Sequence, residues 1–335
     1  MPTADPARTV AIPGPTGDPV EVDVVYDPAT DPAAGATDPR TLGALLEAEG
    51  FALARGLLSP ARCAELIAAF RAEVKPARAP FYRHETDHPE AHVFTADGFM
   101  KHPVLNPHEL WSRRYGRTRR LSQALLADLA LQRLMEGLFG EPGKLIHSMY
   151  FEGNQKTWAH RDTYYVDSTR LGAMVGVWIA LEDIHPGAGR FYVYPRSHRL
   201  PVPELGDGFA ADPNEPDYKA RVLGEIARSG LKCHAPALRA GDVLLFGSRT
   251  IHGSLPNPES GKSRNALTGH FIPVSHGIVW FHRDVRPERS RVIDGLTVHF
   301  NKDLDLPANR LALYREALAT AALKRARALK ARLQA

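Results

Sequence analysis

The sequence predicts a mainly β protein with flanking helices, its strands forming a sandwich or a double-stranded barrel of jelly-roll type. Two observations predict this. From Lys144 onward, short strand-like runs follow one another, separated by Gly, Pro, Asp and Asn. Ahead of them the apolar residues recur at helical spacing. A chain of 335 residues, 44% hydrophobic and 24% charged, suits one large globular domain with decorations.

Residues 1–40 are rich in Pro, Asp, Gly and Ala and read as an N-terminal arm, with one short strand at Val20–Tyr26. Thr41 is placed to cap a helix over Leu42–Glu49, stopped by Gly50. Phe51–Arg55 reads as a strand. Ser59-Pro60 is a capping residue followed by proline at the first helical position, so a helix should run from there to Lys75, before Pro76. A further helix is expected over Arg119–Phe139, with Leu121, Leu125, Leu129 and Leu138 on one side and Gly140 and Pro142 ending it. The strand runs that follow are Leu145–Glu152, Lys156–Asp162, Ala173–Leu181, Gly189–Tyr194, Val243–Phe246, Thr250–His252, Ala266–Pro273 and Ile278–Phe281. Residues 200–232 interrupt them, with a short helix at Asp217–Arg228, and read as a lid-like insertion. Residues 41–306 are therefore taken as a single domain. Residues 307–335 are taken as a basic C-terminal helix, whose leucine side packs on its own domain or, alternatively, on a second copy in a homodimer.

No apolar run reaches the roughly 18 residues of a membrane span; the longest candidate, Leu171–Leu181, holds two glycines. No basic start with an apolar stretch marks a signal peptide, and Cys63 and Cys233 make no disulfide framework, so a cytoplasmic protein is expected. The pI near 9.0 reflects the tail, where residues 310–335 hold seven Lys/Arg and one acid. Nucleic acid is not implied as a partner. A second cluster, Arg113–Arg120, contains five arginines and no acid. It reads either as a solvated helix start or as a surface for an anionic substrate.

The chemistry centres on His160-Arg161-Asp162. On a strand, residues i and i+2 face the same side, so an imidazole and a carboxylate would meet at one point. His252, ninety residues beyond Asp162 at the end of another expected strand, is the best third ligand. Two histidines and a carboxylate on one face leave coordination positions open and suit Fe(II). Arg264, twelve residues after His252, offers a permanently charged fork for the far carboxylate of a bidentate 2-oxo acid, and Ser254 adds a hydroxyl. The triplet recurs as His282-Arg283-Asp284, but only His299 follows it among histidines, so it reads as structural.

With these residues in view, the sequence resembles the phytanoyl-CoA dioxygenase family. The resemblance rests on Met149, on His160-Arg161-Asp162, on Trp178 eighteen residues after His160, and on the run from Gly187 to His198. It continues through His252-Gly253-Ser254, Asn257, Arg264 and Gly269-His270-Phe271. It implies a double-stranded β-helix (jelly-roll, cupin-like) core, Fe(II) and 2-oxoglutarate as cofactors, and hydroxylation of an unactivated carbon with dioxygen, releasing succinate and CO2. It implies iron ligation by His160, Asp162 and His252, and co-substrate binding by Arg264, Ser254, Trp178 and Met149. Family members often carry Gln where Arg161 stands; on a strand Arg161 faces away from the metal, so little effect is expected. Related halogenases replace the carboxylate with a small residue, whereas Asp162 favours hydroxylation.

Tyr164, Lys101, Arg190 and Arg249 are candidate contacts for a small, polar or anionic substrate, each with a packing or surface role as the bland alternative. His198 reads as a structural hydrogen-bonding residue. Two rival functions remain: a cupin-type metalloenzyme that does not use 2-oxoglutarate, and a non-catalytic binding module of the same fold. Arg264 argues against the first, and the intact ligand set against the second.

Overall fold

The structure, a computed structural model, describes residues 9–24, 37–83, 88–153, 157–202, 216–257, 261–280, 284–285 and 287–334. Strands β1 (Thr9–Pro13) and β2 (Pro19–Asp23) pair as a hairpin that buries Ile12, Val20 and Val22. Val25 and Tyr26, the end of the strand expected there, lie outside the described residues. Helix α1 (Pro39–Glu49) starts earlier than expected. Asp38, not Thr41, caps it by accepting from the Thr41 N–H at 3.0 Å, and Pro39 takes the first turn. Gly50 closes it at φ 83°, a conformation glycine adopts without strain. Strand β3 (Phe51–Ala54) follows, then α2 (Pro60–Glu73), where Ser59 holds the cap position without a side-chain cap bond. After β4 (Val104–Leu105), the single helix expected over residues 119–139 is two: α3 (Ser112–Leu126) and α4 (Leu129–Phe139). Asp128 makes the break, its carboxylate accepting from Ala130 N–H at 3.0 Å as a new N-cap.

The β half begins with β5 (Gly143–Phe151), β6 (Val166–Ser168), β7 (Val175–Ala180) and β8 (Phe191–Val193). Helix α5 (Pro216–Ser229) lies in the insertion and buries Tyr218, Val222 and Ile226; residues 203–215 are outside the described set. Then come β9 (Val243–Gly247), β10 (His252–Ser254), β11 (Ala266–Pro273), β12 (Ile278–Trp280), β13 (Asp284–Val285), β14 (Ser290–Ile293) and β15 (Leu296–His299). Of the second triplet, His282 and Arg283 lie outside the described residues. Helix α6 (Pro307–Gln334) ends the described chain. On this helix Leu313 is buried, while Leu311 and Leu318 are 61% and 71% exposed. No helix among the described residues is long and apolar enough to cross a membrane.

One mixed sheet orders its strands β14-β15-β5-β11-β7-β9-β3, with β4 added alongside β5. All its pairings are antiparallel except β15 beside β5. The pleat sends alternate residues to opposite faces. Leu145, Val177, Ile179, Val243, Leu245, Leu267 and Phe271 face outward and form the main core with α1–α4. Trp178, Leu244, Phe246 and Ala266 face inward, where Phe191 and Val193 of β8 pack on them. Strands β8 and β10, and the set β13-β12-β6, supply the opposing layer. The result is a jelly roll with a narrow aromatic interior. The sequence reading did not anticipate β14–β15: β14 is exposed and mixed, and β15, which buries Leu296 and Val298, is only four residues long.

Candidate metal and co-substrate site

His160 and His252 sit opposite each other on an isolated backbone bridge, each N–H donating to the other's carbonyl at 3.0 Å. The bridge fixes both Cα positions and sets the imidazole centroids 4.4 Å apart. The strand expected to carry His160 and Asp162 together is absent. His160 makes only this bridge, and Asp162 begins a 3-10 turn, Asp162–Tyr164, which swings its carboxylate back toward the rings. His252 opens β10 instead of ending a strand.

Each histidine is locked by a backbone carbonyl two residues earlier. His160 Nδ1 lies 2.8 Å from the Trp158 oxygen, and His252 Nδ1 lies 2.9 Å from that of Thr250. A carbonyl only accepts, so Nδ1 carries the proton and Nε2 keeps its lone pair. Asp162 Oδ1 lies 3.6 Å from His160 Nε2 and 3.3 Å from His252 Nε2. All three ligand atoms fall within 4.8 Å of one another, and all three residues are buried. Donors held about 2.1 Å from one ion in neighbouring positions would be roughly 3 Å apart, so the set fits a single metal. Burial, and then the neighbouring His252, hold His160 below the ordinary imidazole value. Burial works to raise the Asp162 carboxyl, but the neighbouring His252, the close His160 imidazole and the hydrogen bond from His270 outweigh it and keep the group well below the usual carboxylate range. Neutral imidazoles and an ionised carboxylate are the forms that bind a cation.

Arg264 is buried, 2% exposed. Its guanidinium lies 5.3 Å from the Phe151 ring and 5.8 Å from the Trp178 ring, and Nη1 donates to the Gly189 carbonyl at 3.2 Å. The Trp178 ring lies tilted 5.9 Å from Phe191, and Phe191 stacks on the His252 ring at 5.3 Å. Arg264 is thus connected to His252 through the Trp178 and Phe191 rings. Ser254 follows His252 on β10, and its Oγ accepts from Thr157 N–H at 2.9 Å. Met149 and Trp178 flank Thr268, their partner in register on β5 and β7. Thr268 was missed by the sequence reading. It is 4% exposed, and among the described residues its hydroxyl has no hydrogen-bond partner. The one available signal was its place two residues before His270, on the same face of β11.

The proposed substrate contacts separate. Tyr164 is buried against Tyr218 of α5, with centroids 4.2 Å apart. Its neighbour Tyr165 is the tyrosine that meets His160, edge-on at 5.7 Å. Arg190 is buried and donates twice to the Ile184 carbonyl. Lys101 and Arg249 are exposed. Arg161 does face away from the ligands, as expected, and donates to the carbonyls of Ser197, Leu200 and Val202. His198 reaches the Glu47 carbonyl at 3.1 Å. Burial pushes the Cys63 and Cys233 thiols up to about 11 and about 12, so neither is poised as a thiolate nucleophile.

The family model of phytanoyl-CoA dioxygenase (PhyH) matches residues 46–266, which contain all three ligands and Arg264. The chain belongs to the phytanoyl-CoA dioxygenase family. It is 32% identical to the ectoine dioxygenase of Halomonas elongata over 145 residues, 39% of this chain and 43% of that protein. It is 31% identical to phytanoyl-CoA dioxygenase domain-containing protein 1 of Mus musculus over 123 residues, 36% of this chain and 40% of that protein. The alignments thus span about two-fifths of these curated relatives. A solved structure, EctD from S. alaskensis with 2-oxoglutarate and 5-hydroxyectoine, superimposes with a TM-score of 0.55 at 18% identity, covering 80% of this chain and 93% of that one. At that identity the likeness speaks for the jelly-roll fold.

Proposed function

We propose that this phytanoyl-CoA dioxygenase family member is an Fe(II)/2-oxoglutarate-dependent dioxygenase that hydroxylates an unactivated carbon of a small molecule. The observation that carries the reading is the convergence of His160 Nε2, Asp162 Oδ1 and His252 Nε2; the buried Arg264, connected to His252 through the Trp178 and Phe191 rings, supports it. When bound, iron and 2-oxoglutarate supply an oxidant for an inert C–H bond, driven by conversion of the co-substrate and dioxygen to succinate and CO2.

The residues divide the remaining work. His160, Asp162 and His252 hold the metal on one side and leave the other open to ligands. Arg264 pairs with the far carboxylate of the co-substrate, where burial strengthens the ion pair. Ser254 and Thr268 offer hydroxyls on the same interior, and Trp178 and Phe191 exclude water from it.

The substrate belongs to this proposal too. The Arg113–Arg120 cluster that suggested an anionic substrate lies on α3, which packs on the outward face of the large sheet. Arg119 there is spent on Asp303 at 2.9 Å. Around His160, by contrast, stand Trp158 and Tyr165, both half-buried. An apolar or ring-bearing substrate fits those faces better than a phosphate or carboxylate.

The test is succinate formation. The protein with Fe(II), 2-oxoglutarate and air should release succinate slowly alone and faster with an accepted substrate. Iron-loaded protein that forms no succinate under any substrate tried would favour a metalloenzyme or binding module that does not use 2-oxoglutarate.

A further inference from the structure

Two histidines outside the ligand set form a buried line that ends on Asp162. His270 Nε2 lies 3.0 Å from Asp162 Oδ2, and His270 Nδ1 lies 3.2 Å from His147 Nδ1. His147 and His270 are direct register partners on β5 and β11, and both are 4% exposed. Just beyond His270 the register shifts by a bulge, between His270 and Phe271. A bulge re-aims the side chains beside it.

The line has a direction. An ionised carboxylate only accepts, so His270 donates its Nε2–H to Asp162. In the neutral tautomer that leaves Nδ1 as an acceptor, and His147 must then donate its Nδ1–H. The two carboxylate oxygens therefore have different work. Oδ1 faces the two ligand imidazoles at 3.3 and 3.6 Å, and Oδ2 is held by His270 on the far side.

We infer that His270, oriented by His147, is a positioning residue that keeps Asp162 bound to the metal through one oxygen. This rests on the function proposed above. A carboxylate released from His270 can turn and offer both oxygens. It would then take a coordination position that the bidentate 2-oxo acid needs. His270 thus protects the opening for the co-substrate more than it strengthens the hold on the metal. Partners that orient metal ligands typically change metal affinity or activity 10- to 100-fold on removal. Here the loss should fall on the co-substrate.

The test compares wild type with His270→Phe, which fills the space without a donor, and His270→Gln, which restores an N–H. Fe(II) affinity and then 2-oxoglutarate affinity are measured without oxygen, with the visible charge-transfer band as the second readout. Expected are Fe(II) binding within about threefold of wild type in both variants, a 2-oxoglutarate affinity at least about tenfold weaker with a shifted band in His270→Phe, and recovery in His270→Gln. His147→Phe, which keeps the donor but frees its ring, should show a smaller loss, and it carries the test should His270→Phe not fold. Unchanged 2-oxoglutarate affinity and band in the Phe variants, with wild type binding normally, would overturn the positioning role alone. Wild type that binds Fe(II) but no 2-oxoglutarate would overturn the function on which it rests.

Discussion

Arg161 stands between two of the three candidate ligands, yet its Nη2 donates to the Ser197 carbonyl at 2.7 Å on the side away from them. The same nitrogen reaches the Leu200 carbonyl at 2.8 Å. The residue that separates His160 from Asp162 therefore pins the turn that leads into the insertion. The ligand segment and the 197–202 turn are fastened to each other through one buried guanidinium.

Removing that guanidinium leaves buried carbonyls without a donor. Arg161→Leu should lower unfolding free energy by about 2–4 kcal/mol, read as a lower denaturation midpoint at unchanged m-value. Metal affinity should change less than stability does. A midpoint equal to wild type would mean that water replaces all of these bonds.

Arg264→Lys keeps the charge but loses the planar fork. Weakening of 2-oxoglutarate by roughly 10- to 100-fold is expected, with Fe(II) affinity unchanged, in an anaerobic binding titration. Thr268→Val should cost less, on the order of three- to tenfold, because it removes one neutral hydroxyl. Equal effects on metal and co-substrate would show that Arg264 supports the fold and not the ligand.

Gly176 lies on the inward face of β7, between His270 of β11 and Phe246 of β9. A Cβ there would meet the Phe246 ring, with its nearest atoms well inside contact distance. Phe246 in turn packs on His252, with centroids 4.5 Å apart. Gly176→Ala should thus displace Phe246 and weaken Fe(II) binding at least tenfold, as a disturbed supporting residue does. Isothermal titration reads the result, and wild-type affinity would show that the ring moves at no cost to the site.

His92 supplies a pH prediction. Arg83 Nη2 donates to His92 Nδ1 at 2.7 Å, so Nε2–H donates to the Val74 carbonyl at 2.8 Å. Burial, then the Arg83 charge, lowers the imidazole from 6.5 to about 4. For a base with a depressed folded value, the stabilising contribution is fully present above the unfolded value and is lost as pH falls. Between pH 6.5 and 4 it should lose about 2 kcal/mol, after allowance for partial exposure. Denaturant midpoints of wild type and His92→Gln across that window should converge as pH falls. Parallel curves would rule the effect out.

Much of this arrangement was legible in residue order, and the gaps have local causes. Strand β11 matched its expected span, Ala266–Pro273, because Leu267, Thr268, Phe271 and Ile272 are good strand formers and Pro273 marks the end of the run. The Ser59-Pro60 and Gly140 boundaries followed from backbone chemistry alone. The break at Asp128 was hidden because leucines continue through it in helical spacing, and only the carboxylate marks the new start. The ligand pair could be named from its spacing, but not its geometry: a bridge followed by a 3-10 turn juxtaposes residues i and i+2 as a strand would. Thr268 and the His147–His270 line depend on which strands become neighbours. No local pattern records that.

The most direct measurement is an anaerobic titration with Fe(II) followed by 2-oxoglutarate, monitored by absorption, on wild type and on His160→Ala, Asp162→Ala, His252→Ala and the control His198→Ala. Wild type and the control should bind one iron per chain and show a visible band on adding 2-oxoglutarate. In each ligand variant, iron affinity should drop at least about 100-fold and the band should vanish. Full iron binding and an unchanged band in the three ligand variants would contradict the assignment of these ligands.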